Sequence, residues 1–120
     1  MTYKQIIVIR KDLNMRKGKM VSQGAHASMK AILGKYNQVL DDDRVLEWLS
    51  GSFTKVCVSC NSEEELLELY NLASTEQLIT GLIKDNGTTE FGGVKTYTAL
   101  AIGPDLPENL NHITGHLKLL

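Results

Sequence analysis

The chain has 120 residues, 42% of them apolar and 22% charged, with a formal net charge of −1. Those values fit one soluble domain spanning 1–120, able to bury roughly two thirds of its unfolded surface without a disulfide or metal staple. The small net charge argues against a polyanion binder over the whole surface. The charge is unevenly placed, however. Residues 1–36 carry eight basic side chains against Asp12 alone, a net of +7, and residues 37–120 carry five against thirteen acidic ones, a net of −8. A local basic face is therefore open. The longest early apolar run, Ile6-Ile7-Val8-Ile9, is closed by Arg10. It is too short for a signal segment or a bilayer span, so the expectation is a cytoplasmic protein with no membrane association. In that reducing compartment two cysteines do not imply a disulfide framework.

In chain order, Lys4–Arg10 has a β-branched apolar core and reads as a buried strand. Lys11–Lys17 is a polar loop, and a helix is predicted from Gly18 to about Ile32 or Leu33, with Gly34 as its stop. Asp41-Asp42-Asp43 marks the acidic first turn of a second helix through Val45, Leu46, Trp48 and Leu49, ended by Gly51. Phe53–Cys60 reads as a strand. Ser62 and Glu65 form a capping box before a helix with Leu66, Leu69, Tyr70 and Ala73 on one face. Gln77–Lys84 is strand-like, Asp85–Gly93 is a turn-rich loop, and Lys95–Ile102 is a fourth strand stopped by Gly103-Pro104. The tail, Pro107–Leu120, predicts a short helix and a terminal apolar anchor. Strands separated by helices imply a single-domain α/β layered fold, with helices packed on both faces of a four-stranded sheet. The third and fourth strands lie close in sequence, which allows the sheet to be mixed.

The first helix carries the sharpest pattern. At about 100° per residue, Lys19, Gln23, His26 and Lys30 fall within about 60° of one another and form one polar stripe. Met20, Gly24, Ala27, Ser28 and Ala31 occupy an adjacent face of mostly small residues, suited to close approach to a sheet. Any amphipathic surface helix has a polar stripe, but Lys19 is unusual. It sits in the first turn, where a cation opposes the helix dipole and, beside free N–H groups, offers an anion site. Asp85-Asn86-Gly87-Thr88-Thr89 follows a strand directly, where sites in α/β sheets tend to gather. Asp85 is the candidate base and Thr89 could orient a water or a substrate oxygen. Taken alone, Asp-Asn-Gly reads more readily as turn chemistry, with Gly87 supplying a positive φ.

Three other patterns are discounted. Cys57 and Cys60 match the C-x-x-C redox spacing, but both lie inside a strand and point to opposite faces. His112 and His116 are four apart with no third ligand nearby, short of a zinc site. Gly18-Lys19 resembles the end of a P-loop, yet Leu13 stands where the first glycine belongs and Met20 where a Ser or Thr belongs.

Ile9-Arg10-Lys11-Asp12-Leu13-Asn14-Met15, Gly18-Lys19, Gln23 and His26-Ala27 together resemble the opening signature of the type 2 peptidyl-tRNA hydrolases, the archaeal and eukaryotic-type enzymes. Asp85, Gly87, Thr89 and Ile102-Gly103-Pro104 match that family's second block, and Thr114-Gly115-His116-Leu117-Lys118-Leu119 its closing one. Arg16 and Asn86 replace a usual glycine and alanine, and the loop after Glu90 is one residue shorter. The resemblance implies a mixed four-stranded sheet, often a homodimer, and metal- and cofactor-free hydrolysis of the ester between a peptide and the 3′ ribose of tRNA. Water would be the nucleophile and Lys19, Asp85 and Thr89 the catalytic residues. On that reading Lys19 stabilises either the oxyanion or a 3′-terminal phosphate, Gln23 and His26 line the site, and Lys11, Arg16 and Lys17 hold the tRNA backbone. The alternative is a non-catalytic RNA-binding or adaptor module on the same fold.

Overall fold

The computed structural model describes residues 2–34, 41–87 and 91–120. Strand β1 (Lys4–Arg10) runs through a single 3-10 turn (Lys11–Leu13) to helix α1 (Lys17–Leu33), and helix α2 (Asp43–Ser50) follows. Then come β2 (Thr54–Cys60), α3 (Glu63–Thr75), β3 (Thr80–Asp85), β4 (Thr96–Asp105) and α4 (Pro107–Thr114). The sheet order is β2-β1-β4-β3. β1 pairs parallel with β2 and antiparallel with β4, which pairs antiparallel with β3, so the sheet is mixed. The parallel pair needs a long crossover, and α1 and α2 lie within it. Among the described residues no helix is long and apolar enough to cross a membrane.

Alternation along the central strands divides the core in two. Ile6, Val8, Leu100 and Ile102 face α3 and α4, meeting Leu66, Leu69, Leu110 and Ile113. Ile7, Ile9, Ala99 and Ala101 face the other way, against Ala27 and Ala31 of α1 and Val45 and Trp48 of α2. Helices therefore cover both faces. The predicted small-residue face of α1 is the one that meets the sheet: Gly24, Ala27, Ser28 and Ala31 are all buried. The approach is closest at β3, where a Cβ on Gly81 would lie 2.5 Å from the Ala27 carbonyl oxygen and 2.6 Å from the Ala31 nitrogen.

Local chemistry sets the ends of several elements. The Asp42 side chain caps α2 by accepting from the Arg44 N–H. Ser62 Oγ accepts from the Glu65 N–H at 3.0 Å, and Glu65 Oε1 returns to the Asn61 N–H, one residue before the expected reciprocal partner. β3 starts later than the sequence suggests, because Gln77 and Leu78 donate back to Ser74 and Ala73 and finish the turn after α3. β4 does not stop at Gly103-Pro104 but runs on to Asp105. Gly103 adopts φ +99, and the register with β1 shifts between Lys4 and Ile6. The glycine and proline serve an irregularity inside a strand rather than its end. The tail anchors through Leu117, which packs against the core, and through backbone hydrogen bonds of its last residues. Ser59 N–H donates to the Lys118 carbonyl and Leu120 N–H to the Cys57 carbonyl, while the Leu119 side chain is 75% exposed.

Candidate active site

The N-terminal turns of α1 lie against the C-terminal end of β3. Lys19, in the first turn of α1, places Nζ 2.9 Å from Oδ1 of Asp85, the last residue of β3. Each side chain is only 12% exposed. Gln23, one turn further along α1, donates from Nε2 to the same Oδ1 at 3.4 Å, and its Oε1 accepts the hydroxyl of Thr98 on β4. The other carboxylate oxygen, Oδ2, accepts the Gly87 N–H at 2.8 Å. Gly87 has φ +82, as the turn chemistry predicts, and a Cβ there would collide with the Val94 backbone. The turn and the site are thus one structure, with Asp85 closing the turn through one oxygen and receiving α1 through the other. The Phe91 ring centroid lies 5.7 Å from Lys19 Nζ.

The electrostatics follow from these contacts. The Lys19 ammonium is the largest influence holding the Asp85 carboxyl below its ordinary value. The Gly87 N–H and Gln23 add to it, and burial acts in the opposite sense. Asp85 is therefore firmly ionised near neutrality and is a weak proton acceptor. Lys19 in turn has a counter-charge at the helix end that would otherwise repel it.

The predicted polar stripe on α1 divides. Gln23 is buried and directed to Asp85, whereas His26 and Lys30 are exposed. Lys30 Nζ reaches the Leu82 carbonyl of β3, and no hydrogen bond or ion pair joins His26 to Lys19, Gln23 or Asp85 among the described residues. Lys19 and Lys30 reach Asp85 and Leu82 of β3, and Gln23 bridges Asp85 of β3 to Thr98 of β4. Thr89 lies outside the described residues. Lys11, Arg16 and Lys17 are all exposed where the chain enters α1. Arg10 is not part of that exposed group: it is buried, pairs with Asp12 at 2.6 Å and donates to the Tyr97 carbonyl at 3.0 Å.

The discounted motifs remain apart from this centre. Cys57 is exposed and Cys60 buried, as opposite strand faces require, and burial pushes the Cys60 thiol up to about 11, which disfavours a reactive thiolate. His112 Nε2 sits 2.6 Å from Glu76 Oε1. The residues that sequence reading missed are Thr98 and Phe91. A threonine in a strand rich in alternating small and apolar residues was the one available signal for Thr98.

A family model described as "Peptidyl-tRNA hydrolase PTH2" matches residues 3–120. A peptidyl-tRNA hydrolase of Methanocaldococcus jannaschii is 47% identical over 117 residues, covering 98% of this chain and 99% of that one. One from Methanopyrus kandleri is 42% identical over 118 residues, with 98% of each covered, and one from Staphylothermus marinus is 38% identical, with 98% and 95% covered. With the match running through every element of the fold and identity at this level over full length, the chain belongs to the peptidyl-tRNA hydrolase PTH2 family.

Proposed function

We propose that Lys19, Asp85 and Thr89 carry the hydrolysis of the ester between a peptide and the 3′ ribose of tRNA, the reaction of the family. The observation that supports this most directly is the Lys19–Asp85 contact at 2.9 Å. An ester hydrolase needs an oriented water and a positive group near the developing oxyanion, and this pair supplies both side by side. Asp85 Oδ1 already accepts from Lys19 and Gln23, and Oδ2 accepts only from Gly87 among the described contacts. A carboxylate oxygen accepts about two hydrogen bonds, so Oδ2 has room for a water. The low basicity of Asp85 makes its main work orientation. The water forms the new bond to the ester carbon and gives up its proton through Asp85. The ester C–O bond then breaks, and the ribose oxygen leaves with a proton. Lys19, held beside the carboxylate that positions the water, is assigned to the oxyanion rather than to a distant phosphate. Thr89 would hold the water or the ester oxygen.

Lys11, Arg16 and Lys17 are assigned to tRNA phosphates, contacts that are indifferent to sequence and suit a substrate class rather than one tRNA. His26, exposed one turn beyond Gln23, is assigned to the outer rim. A cytoplasmic setting follows from a substrate made by ribosomes. A homodimer is part of the same reading. The exposed side chains of Val21, at 71%, and Met29, at 56%, on the outer side of α1 support it, and sedimentation equilibrium checks it.

The test uses purified protein and an N-blocked aminoacyl-tRNA, with and without chelator. Chelator-resistant release of tRNA, lost in Asp85→Ala and Lys19→Ala, is the expected result. No release by the wild-type chain would leave a non-catalytic RNA-binding or adaptor role.

A further inference from the structure

Thr98 reaches the site through an interruption of the sheet. Along the β3–β4 pair, Ile83 faces Ala99 and Lys84 faces Tyr97, so two consecutive residues of β3 span three of β4, and Thr98 has no opposite number. It is the extra residue of a β-bulge. In a regular strand Thr98 would share a face with Leu100, which packs in the core under α3 and α4. Tyr97 takes that face instead, packing against the same core, while Ala99 and Thr98 both turn toward α1. Bulges next to active sites re-aim side chains in this way.

What the bulge delivers is a hydroxyl to Gln23. Thr98 is fully buried and Gln23 is 2% exposed, so their mutual hydrogen bond has no water to replace it. The chain of bonds also has a direction. If the Gln23 amide were turned over, Oε1 would face the ionised Asp85 Oδ1, two acceptors in contact. With the observed orientation the Thr98 hydroxyl donates to Oε1 and Nε2 donates to Asp85. We propose that Thr98 is a positioning residue for this site: through Gln23 it fixes the Asp85 carboxylate so that Oδ2 presents its open side to the water. The proposal deepens the reading of Asp85 as the group that holds the water, and rests on it. It also gives Gln23 an inward task instead of contact with substrate.

The test compares Thr98→Val, which keeps the shape and removes the hydroxyl, with Thr98→Ser, which keeps a hydroxyl. Gln23→Met interrupts the same chain from the other side. Two readouts are taken: kcat and KM across pH with an N-blocked aminoacyl-tRNA, and the Asp85 carboxyl titration followed by carbon-13 NMR on the free protein. Thr98→Val and Gln23→Met are expected to lower kcat by about tenfold with KM within about twofold, as a displaced reacting group does. Both are expected to move the Asp85 titration and the acid limb upward, and Thr98→Ser is expected to retain most of both properties. An unchanged Asp85 titration in Thr98→Val, or a Thr98→Ser as impaired as Thr98→Val, would overturn the proposal. A shifted titration together with a fully active Asp85→Asn would retain the positioning relay and remove the water-holding role of Asp85, so the two ideas fail separately.

Discussion

Lys19 and Asp85 are 66 residues apart in sequence, and their side chains meet at 2.9 Å where α1 crosses the end of β3. The pair is a product of helix-on-sheet packing. Neither group has a reason to be so little exposed without the other, since a lone buried charge is costly.

The first prediction concerns that pair. Lys19→Met removes the main influence that depresses the Asp85 carboxyl, so the acid limb of kcat/KM moves to higher pH. At pH 7 the wild-type Asp85 is ionised. The loss there reports the missing positive charge, and a decrease of about 10²–10³-fold in kcat is expected for an oxyanion partner. Stability follows the same sign. A carboxyl depressed in the folded state stabilises it above the ordinary aspartate value near 3.9, and that contribution is lost as pH falls through the folded-state value. Urea midpoints of wild type and Lys19→Met should therefore differ at pH 7 and converge as pH drops below about 4.

The second prediction tests the spacing that makes the pair possible. In Gly81→Ala the added methyl meets α1 backbone at 2.5 Å, so helix and strand must part. Overpacking of this kind costs about 1–3 kcal/mol, and the shift carries Lys19 and Gln23 away from Asp85. Both the urea midpoint and kcat should fall. Gly24→Ala is the contrast on the same interface. Its new Cβ would meet Ile7 Cγ2 at 3.5 Å, an ordinary contact. The gain in helix propensity, about 1 kcal/mol at most, should leave the protein as stable as wild type or more so.

These features were unequally legible in the sequence. The Ser62 cap, the acidic start of α2 and the small-residue face of α1 are local patterns with local causes, and each forms, with Glu65 reaching the Asn61 N–H instead of completing the box and α2 beginning at Asp43 behind its Asp42 cap. The register of one strand against another is not local. Nothing in Tyr97-Thr98-Ala99 announces that Thr98 turns toward α1, because the bulge exists only in the pairing with β3. The same blindness made Gly103-Pro104 read as an end. On a helical wheel Gln23 and His26 share a stripe, but only the path of β3 beneath α1 separates a buried amide from an exposed imidazole. The apolar anchor of the tail was visible as far as Leu117, but the backbone pairing that ties Lys118 and Leu120 to β2 was not. The residues assigned to chemistry were legible chiefly through the resemblance, since Asp85 alone reads as a turn residue.

A third prediction concerns the far end of β4. Asp105 is buried and accepts from Arg44 at 3.2 Å as well as from Asn109 and the Leu106 N–H. The Asp42 and Asp105 carboxylates both hold the Arg44 guanidinium in its charged form. Arg44→Met strips one partner from a buried carboxylate and takes the guanidinium from Asp42, though the backbone cap of α2 survives. The change should lower stability by about 1–3 kcal/mol in urea unfolding. Asp85 faces Thr96, at the opposite end of β4 from Asp105, so kcat in the folded protein should be unchanged.

The last prediction turns on which side chains of the basic segment stand exposed where the chain enters α1. Of the residues that give positions 1–36 their +7, Arg10 is paired with Asp12, Lys19 with Asp85, and Lys30 is bonded to the Leu82 carbonyl. Lys11 and Lys17 are exposed at the entry to α1. Each phosphate contact releases about one counterion, so affinity falls with salt in proportion to the contacts made. Lys17→Ala should reduce the slope of log KM against log salt by about 1 and leave kcat close to wild type. Its defect is therefore largest at low salt and shrinks as salt rises. Lys11→Ala should behave alike, and the double variant should lower the slope by about 2. A fall in kcat at saturating substrate, with an unchanged salt slope, would move Lys17 out of the tRNA contact and into the chemistry of the site.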